Sequence, residues 1–386
     1  MGFMDWIVIG GGITGASLAY ELSQQNFKVL LLEKNSAPDN ATTYSYGGLA
    51  YWSGTDELTR ALGQEGLELH RQLSNELDGD TDFRELDLTL TIDRQDEPED
   101  IIRNYDRFAI APELLNVQEA CNLEPLLNPN AISGALRLNH GHINPQKTAE
   151  AYLQAFERNG GTIIYESAIA LLHQNQSVTG VKTKNNNYYA DNVVVCAGGL
   201  SRSLLQQSNI EINNYFTHAQ MIMTPAVELE LGTIVMPAVQ RRFWLESTVA
   251  DDESDNPPHK SILDPGAIQF ADGRLCLGQI SVLALEPQMQ FDLAAAEAKI
   301  RQEVGHILPL VADIPGKCHS CLVAFNNRGI ALVGEIPNFS SLYLFSGFTS
   351  TLVYAPVIAR RFASSMNGNP DQVIEQLQSI LEQAIM

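Results

Sequence analysis

The sequence predicts an α/β chain, α+β overall, in which parallel βαβ segments are interrupted by a second, strand-rich domain. Three observations carry that prediction. The opening WIVIGGGITGASLAYELSQQNFKVLLLEK brackets an amphipathic helix with short apolar runs, related segments return in the middle and at the end, and the stretch between about Tyr215 and Leu285 is largely strand-like. Continuous apolar runs around a helix are what a parallel unit buried on both faces requires. At 386 residues the chain is also too long for one core, because chains divide into domains beyond roughly 250–300 residues.

The elements follow in order. After the first run come a glycine turn, a helix bearing Leu18 and Leu22, and a second run from Val29 to Leu32. A helix is expected from Asp56 to Leu77, a strand from Thr81 to Thr91, and a polar helical stretch from Pro98 to Ala120, with Pro125 and Pro129 as breakers. Pro145 suits the first turn of a helix that runs to Arg158 and ends at Gly160 and Gly161, since its fixed φ fits there and its missing N–H is not needed. Three strands come next, TIIYESAIALL, SVTGVKT and YYADNVVVCAGG, with a turn at Asn185 to Asn187 before the last. Asp272 and Gly273 mark a hairpin. A helix from Leu293 to Ile307, strands IALVG and LYLFSG, and helices from Ser350 to Met366 and Pro370 to Ile385 complete the chain.

Composition narrows the function. The formal net charge of −22 argues against a nucleic-acid partner, because phosphate backbones are held by clustered Lys and Arg. Arg241 and Arg242 beside Phe243 and Trp244 are too few to make such a patch. No apolar stretch reaches the ~18 residues of a membrane span, and the run at Trp6 to Ile9 lacks a preceding basic segment, so it reads as a strand rather than a signal peptide. A cytoplasmic location is expected. The five cysteines are a sparse, odd set that suits a reducing compartment.

Gly10, Gly12 and Gly15 form GxGxxG between strand and helix. The first glycine permits the tight turn, the second lets backbone approach a pyrophosphate, and the third allows close packing of helix on strand. The helix start, with Ile13 and Thr14, offers N–H groups to phosphate. Glu33, followed by Lys34, stands at the end of the second strand, where a carboxylate can accept bonds from a ribose and would repel a 2′-phosphate. NAD and FAD are not separated by this unit alone.

Other constellations are weaker. Cys318 and Cys321 form CxxC, but the surroundings are not those of a disulfide-exchange unit and further zinc ligands are lacking nearby, so no metal is expected. His140 and His142 share a face if extended, with no acidic or thiol partner at short range, and read as packing or substrate-adjacent residues.

The chain resembles the FAD-dependent family of D-amino acid oxidases, glycine oxidase, sarcosine oxidase and the D-amino acid dehydrogenases. The resemblance runs nearly end to end, through GGGITGASLAYEL, YSYGGL, GHINPQKTAEAYLQAFERNGG, VVVCAGGLS, ADGRLCLGQ, IALVGEIP and LFSGFTSTLVYAP. It implies FAD as cofactor, a Rossmann-type FAD-binding domain with a mostly parallel sheet, and a substrate domain built on a large antiparallel sheet. Residues 1–80, 141–214 and 320–386 are assigned to the former and 81–140 and 215–319 to the latter. Ser45, Gly47 and Gly48 would pass near the flavin ring and pyrophosphate, Ile169 would present backbone to adenine, and Ala197 with Gly198 would approach the cofactor closely. Gly334, Gly347, Phe348, Thr349, Ser350 and Thr351 fall in the terminal motifs.

The implied activity is oxidation of a small amine or amino acid, with hydride transfer to the flavin and hydrolysis of the imine, oxygen or an electron carrier taking the electrons onward. In such chemistry the cofactor does the redox work and the protein supplies orientation and electrostatics. The alternatives are oxidation of a hydroxy acid or polyol, and a flavin-binding protein without turnover. Candidate substrate contacts are Arg242, Arg328 and Tyr46. The chain departs from the family pattern at Val323, where members acting on amino acids often carry Arg, and at Phe348, Thr349 and Ser350 in place of a turn with His and Gly. Cys321 lies about where sarcosine oxidase-like relatives attach flavin through a thioether.

Overall fold

Strand β1 (Met4–Ile9) organises the first sheet, because it pairs in parallel with β2 (Val29–Glu33) on one side and β10 (Asn187–Val195) on the other. The computed structural model describes residues 3–247, 260–284 and 286–385, and elements are numbered in chain order. Outward from this centre, β2 adds β7 (Thr162–Tyr165) and β10 adds β17 (Leu342–Ser346), again in parallel. The antiparallel β16 (Leu332–Glu335) closes the β17 edge, and a ribbon of β8 (Ala168–Gln174) and β9 (Ser177–Thr183) extends from β10. Ile7, Val8, Leu30, Leu31, Val193 and Val194 are fully buried, since both faces of the sheet are covered; this is why the strands read as unbroken apolar runs.

Helices α1 (Ile13–Gln24), α2 (Glu57–Glu76), α5 (Pro145–Arg158) and α10 (Thr351–Met366) pack into the core that holds Trp6 and Val8. Residues of α6 (Ser201–Gln206) and α11 (Gln372–Ala384) join Ile7 and Leu30 in the core on the other face. The expected bounds of α5 and of α8 (Leu293–Ile307) coincide with those observed.

The second sheet has the strand order β15 (Lys317–Phe325), β11 (Tyr215–Ala226), β14 (Arg274–Leu283), β13 (Lys260–Gln269), β12 (Ile234–Pro237), β4 (Arg84–Asp93), β6 (Ile132–His142) and β3 (Gly48–Leu49), with β5 (Glu113–Leu115) also on β6. Its pairs are antiparallel except β12 with β4. Helix α8 and the short α9 (Pro309–Ala312) cover one face through Ile222, Leu275, Leu277, Ile300 and Val304. The opposite face, with Ala219, Met221, Cys276 and Cys321, shares a core with α1 and α10. It is therefore turned toward the first sheet and its helices.

Four expectations need correction. Residues 98–120 are not one helix: α3 (Pro98–Arg103) stops, β5 intervenes, and α4 (Val117–Leu123) starts afresh at a capping box between Asn116 and Glu119. TIIYESAIALL is two strands, broken between β7 and β8. Arg242 lies in a helix, α7 (Arg241–Ser247), rather than a strand, because Asp264 on β13 accepts the backbone N–H groups of Arg241 and Arg242, both at 3.0 Å. The boundary drawn between 319 and 320 falls inside β15, all of which belongs to the second sheet.

Candidate active site

The carboxyl ends of the parallel strands gather the expected cofactor residues. Gly10 follows β1, Glu33 ends β2, Ala197 and Gly198 follow β10, and Gly347 follows β17. Ligands of open α/β sheets bind outside those ends. The three glycines of the turn have different reasons. A side chain at Gly10, at φ +112°, would begin 2.5 Å from the Cys196 carbonyl oxygen, and one at Gly15 would begin 1.9 Å from the Gly10 oxygen. Gly12 differs: it has ordinary φ, and its only near neighbour is Thr42 Oγ1 at 3.1 Å.

Among the described residues only the Thr42 hydroxyl, which would have to give slightly, stands against a side chain at position 12, whereas a phosphate group lying against the backbone would demand glycine there. The start of α1 has no side-chain cap and no acidic residue in its first turn, which includes Ile13 and Thr14, so the helix dipole is left for an anion. Ile13 N donates to Thr42 Oγ1 at 3.0 Å. Glu33 is fixed at the rim, its Oε2 accepting from Gly11 N at 2.7 Å and its Oε1 from Asn35 N at 3.1 Å. Beside it opens a hollow lined by Lys34, Asn35, Ser36, Asp39 and the exposed Tyr165. Ile169 is also exposed, in β8. A side chain built at Gly198 would meet nothing within 4 Å. These features fit a dinucleotide.

The YSYGGL segment is held by the second sheet. Ser45 Oγ accepts from Gly47 N at 3.2 Å, and His142 Nε2–H donates to the Tyr46 carbonyl at 3.0 Å. A side chain at Gly47 would begin 2.1 Å from the Ile143 oxygen, and one at Gly48 would begin 2.7 Å from His140 Nε2. His140 Nδ1 in turn accepts from Trp52 Nε1 at 2.9 Å. Burial pushes both histidines down to about 3, so they are neutral packing residues and weak bases.

Tyr46 reaches from this segment to the inner face of the second sheet. Its hydroxyl is buried without a partner and feels Cys276 and Asp264. Burial raises the Asp264 carboxyl, while the Arg241 and Arg242 N–H groups work against that rise. Arg242 Nε donates to Glu246 Oε1 at 2.7 Å, and its guanidinium is within electrostatic reach of Asp264 and Cys321. Asp264 thus lies within electrostatic reach of both Tyr46 and Arg242, and Cys321 of both Arg242 and Cys276. Arg328 is not: it is exposed in the turn after β15, its N–H on Asn326 Oδ1 at 2.8 Å and its charge near Tyr215.

The remaining positions divide. Gly334 sits in β16 against Gln378 of α11, which fills its side-chain position at 2.0 Å and bonds both Glu335 N and O. Gly347, at φ +68°, abuts Asn214; Phe348 is buried, Thr349 N donates to the Ile330 carbonyl at 2.9 Å, and Thr351 Oγ1 to the Phe348 carbonyl at 3.4 Å. Ser350 precedes α10 without capping it, leaving a second bare helix start at the strand ends. Cys318 packs on the α8 face and Cys321 on the inner face, as the three-residue spacing requires in a strand. Among the described residues no group of His, Cys, Asp and Glu could hold a metal, and no helix is long and apolar enough to cross a membrane.

The parallel sheet, its glycine turn and the second, mostly antiparallel sheet together define a dinucleotide-binding α/β protein. The chain belongs to the FAD dependent oxidoreductase family, whose model matches residues 5–365, and it is an FAD-dependent oxidoreductase. It is 25% identical to the oxidoreductase YurR of Bacillus subtilis, covering 96% of each chain. To 4-methylaminobutanoate oxidase (formaldehyde-forming) of Paenarthrobacter nicotinovorans it is 26% identical over 94% of this chain, but it spans only 44% of that protein. In fold it is similar to glycine oxidase from Bacillus cereus, with TM-score 0.78, 18% identity and coverage of 99% and 98%. L-proline dehydrogenase from P. horikoshii gives TM-score 0.76 at 17% identity, covering 99% and 98%.

Proposed function

We propose that this protein oxidises a small amine or amino acid to an imine, which water hydrolyses. The observation that carries the reading is the buried, unpartnered hydroxyl of Tyr46, within electrostatic reach of Asp264 and Cys276 on the inner face of the second sheet. A buried polar group without a partner is costly, and a donor's polar end would satisfy it. Similarity to a methylaminobutanoate oxidase supports an amine as that donor. Bound FAD supplies the two-electron acceptor. Gly10, Gly12, Ile13, Thr14 and Gly15 would hold its pyrophosphate, Glu33 and Lys34 its adenosine side with Ile169, and Ser45, Gly47, Gly48, Ala197, Gly198 and residues 347–351 its ring. In this reading the donor's amine is neutral, and His140 and His142, both held neutral by burial, would not take a proton from it.

An anaerobic donor screen, read at the flavin absorbance band, tests this. Amines or amino acids should bleach the band, whereas bleaching by hydroxy acids or polyols alone would transfer the enzyme to the second class, and silence with every donor would leave a flavin binder without turnover. Admitting air to the bleached enzyme then separates oxygen from a carrier as the acceptor.

The flavin linkage at Cys321 is a separate matter. Burial pushes this thiol up to about 12, with Asp39 raising it further and Arg242 opposing. The thiolate is the reactive form. Acid precipitation is therefore expected to release all of the FAD into the supernatant; a yellow pellet yielding a flavin peptide with Cys321 would establish the thioether instead.

A further inference from the structure

Among the described residues Arg242 is a cation within electrostatic reach of Asp264 and Cys321 at the candidate donor site, and it already has a carboxylate. Its Nε donates to Glu246 Oε1 at 2.7 Å, and the two side chains retain 25% and 12% exposure, so the pair is reachable yet largely desolvated. The pairing is built in. Asp264 takes the N–H groups of Arg241 and Arg242, one on each oxygen, and fixes the start of α7 on the sheet. Leu245, with no exposure, packs with Leu283 and Phe325 and pins the middle of the helix. With both ends of its contact held, α7 projects residues 242 and 246 on one side, because positions four apart share a helix face.

Among the described residues, Arg241 and Arg242 stand against Asp264 and Glu246, and Asp39 acts on Cys321, so the site carries no excess of positive charge for an anion. A donor carboxylate at Arg242 would have to displace Glu246, leaving a part-buried carboxylate unpaired, or lie beside it against like charge. Either outcome is unfavourable. A neutral amine meets neither obstacle and can use the Tyr46 hydroxyl.

We infer that Glu246 is a specificity residue: by occupying the Arg242 guanidinium it turns the pocket against donors with a carboxylate beside the reacting amine and toward amines that lack one. This deepens, and rests on, the amine-donor reading above. Glu246 touches Arg242 and acts on the donor by excluding a rival anion.

The test uses purified holoenzyme, with benzoate as a carboxylate that cannot be oxidised and with ethylamine and both enantiomers of alanine as matched donors. Benzoate binding is read from the perturbed flavin spectrum and needs no turnover. Glu246→Gln should bind benzoate at least tenfold more tightly than wild type, and adding Arg242→Met should erase the gain. Arg242→Met alone should change benzoate binding less than threefold. The ratio of anaerobic bleaching rates, ethylamine over alanine, should fall at least tenfold in Glu246→Gln. Unchanged benzoate affinity in Glu246→Gln overturns the inference. So does a tenfold loss in Arg242→Met alone, which stands as a test even if the Glu246 variant does not fold. Should no amine bleach the flavin while Glu246→Gln still gains benzoate affinity, the amine reading fails and the role of Glu246 survives as carboxylate exclusion.

Discussion

Gly12→Val is expected to give a folded, colourless protein. Among the described residues the new side chain's first carbon would have one near neighbour, the Thr42 hydroxyl at 3.1 Å, and Gly12 already has φ −69°, which valine adopts without strain. Exchanging Gly for Val at a helix N-cap costs about 1 kcal/mol, small against a typical stability of roughly 5–15 kcal/mol. Its bulk points where pyrophosphate must lie against backbone. FAD affinity should drop at least 100-fold, read by flavin fluorescence on titration, with the apo-protein's circular dichroism and thermal midpoint close to those of wild-type apo-protein. Gly15→Ala should behave oppositely. Its Cβ would begin 1.9 Å from the Gly10 oxygen, and Gly10 is itself pinned against Cys196. The helix must lift from the strand, at about 3 kcal/mol for overpacking, so flavin and thermal midpoint are lost together. A yellow Gly12→Val protein with normal affinity would sink the assignment of this turn to the pyrophosphate.

That contrast also marks what the amino-acid sequence could reveal. GxGxxG, the apolar runs and Glu33 are local signals, each set by its own neighbours, and α1, β1 and β2 emerge where they point. The bounds of α5 are legible because Pro145 and Gly160 punctuate it. Helix α7 is not legible, since seven residues rich in aromatics become helical only when Asp264, distant in the chain, receives its first N–H groups. Once the segment is known to be helical, the four-residue spacing of Arg242 and Glu246 is a visible signal; read as a strand, it puts them on the same side too far apart to pair. Arg328 shows the converse. Proximity in sequence to the terminal motifs suggests a pocket residue, but in the turn after β15 Asn326 is buried and Arg328 is exposed. The choice between NAD and FAD depended on motifs spread over the chain, because the βαβ unit serves both.

Arg360→Met is expected to destabilise the protein by about 3 kcal/mol at pH 8 and by much less at pH 5. On α10, Arg360 Nε donates to Glu21 of α1 at 3.0 Å and its NH2 to Glu76 of α2 at 2.5 Å, so one guanidinium ties three helices. The Glu21 side chain is only 5% exposed. Removing one partner of a buried pair typically costs ~3–5 kcal/mol, and the low end applies because Arg360 is 42% exposed and partly screened. Burial raises Glu21 to about 7, against the opposing pull of Arg360 and with Glu76 adding to the rise. The folded state thus holds this proton more tightly than the unfolded chain, whose carboxyl titrates near 4.5, and stability falls as pH climbs from about 4.5 to about 7. Without the guanidinium the carboxyl moves higher still, so the variant keeps losing stability above that window while wild type levels off. At pH 5 Glu21 is protonated in both proteins and the difference shrinks. Urea midpoints at the two pH values measure it, and Glu21→Gln in the Arg360→Met background should restore most of the loss at pH 8. An equal loss at both pH values, or no rescue by Glu21→Gln, would mean that Arg360 acts through packing rather than by compensating a buried charge.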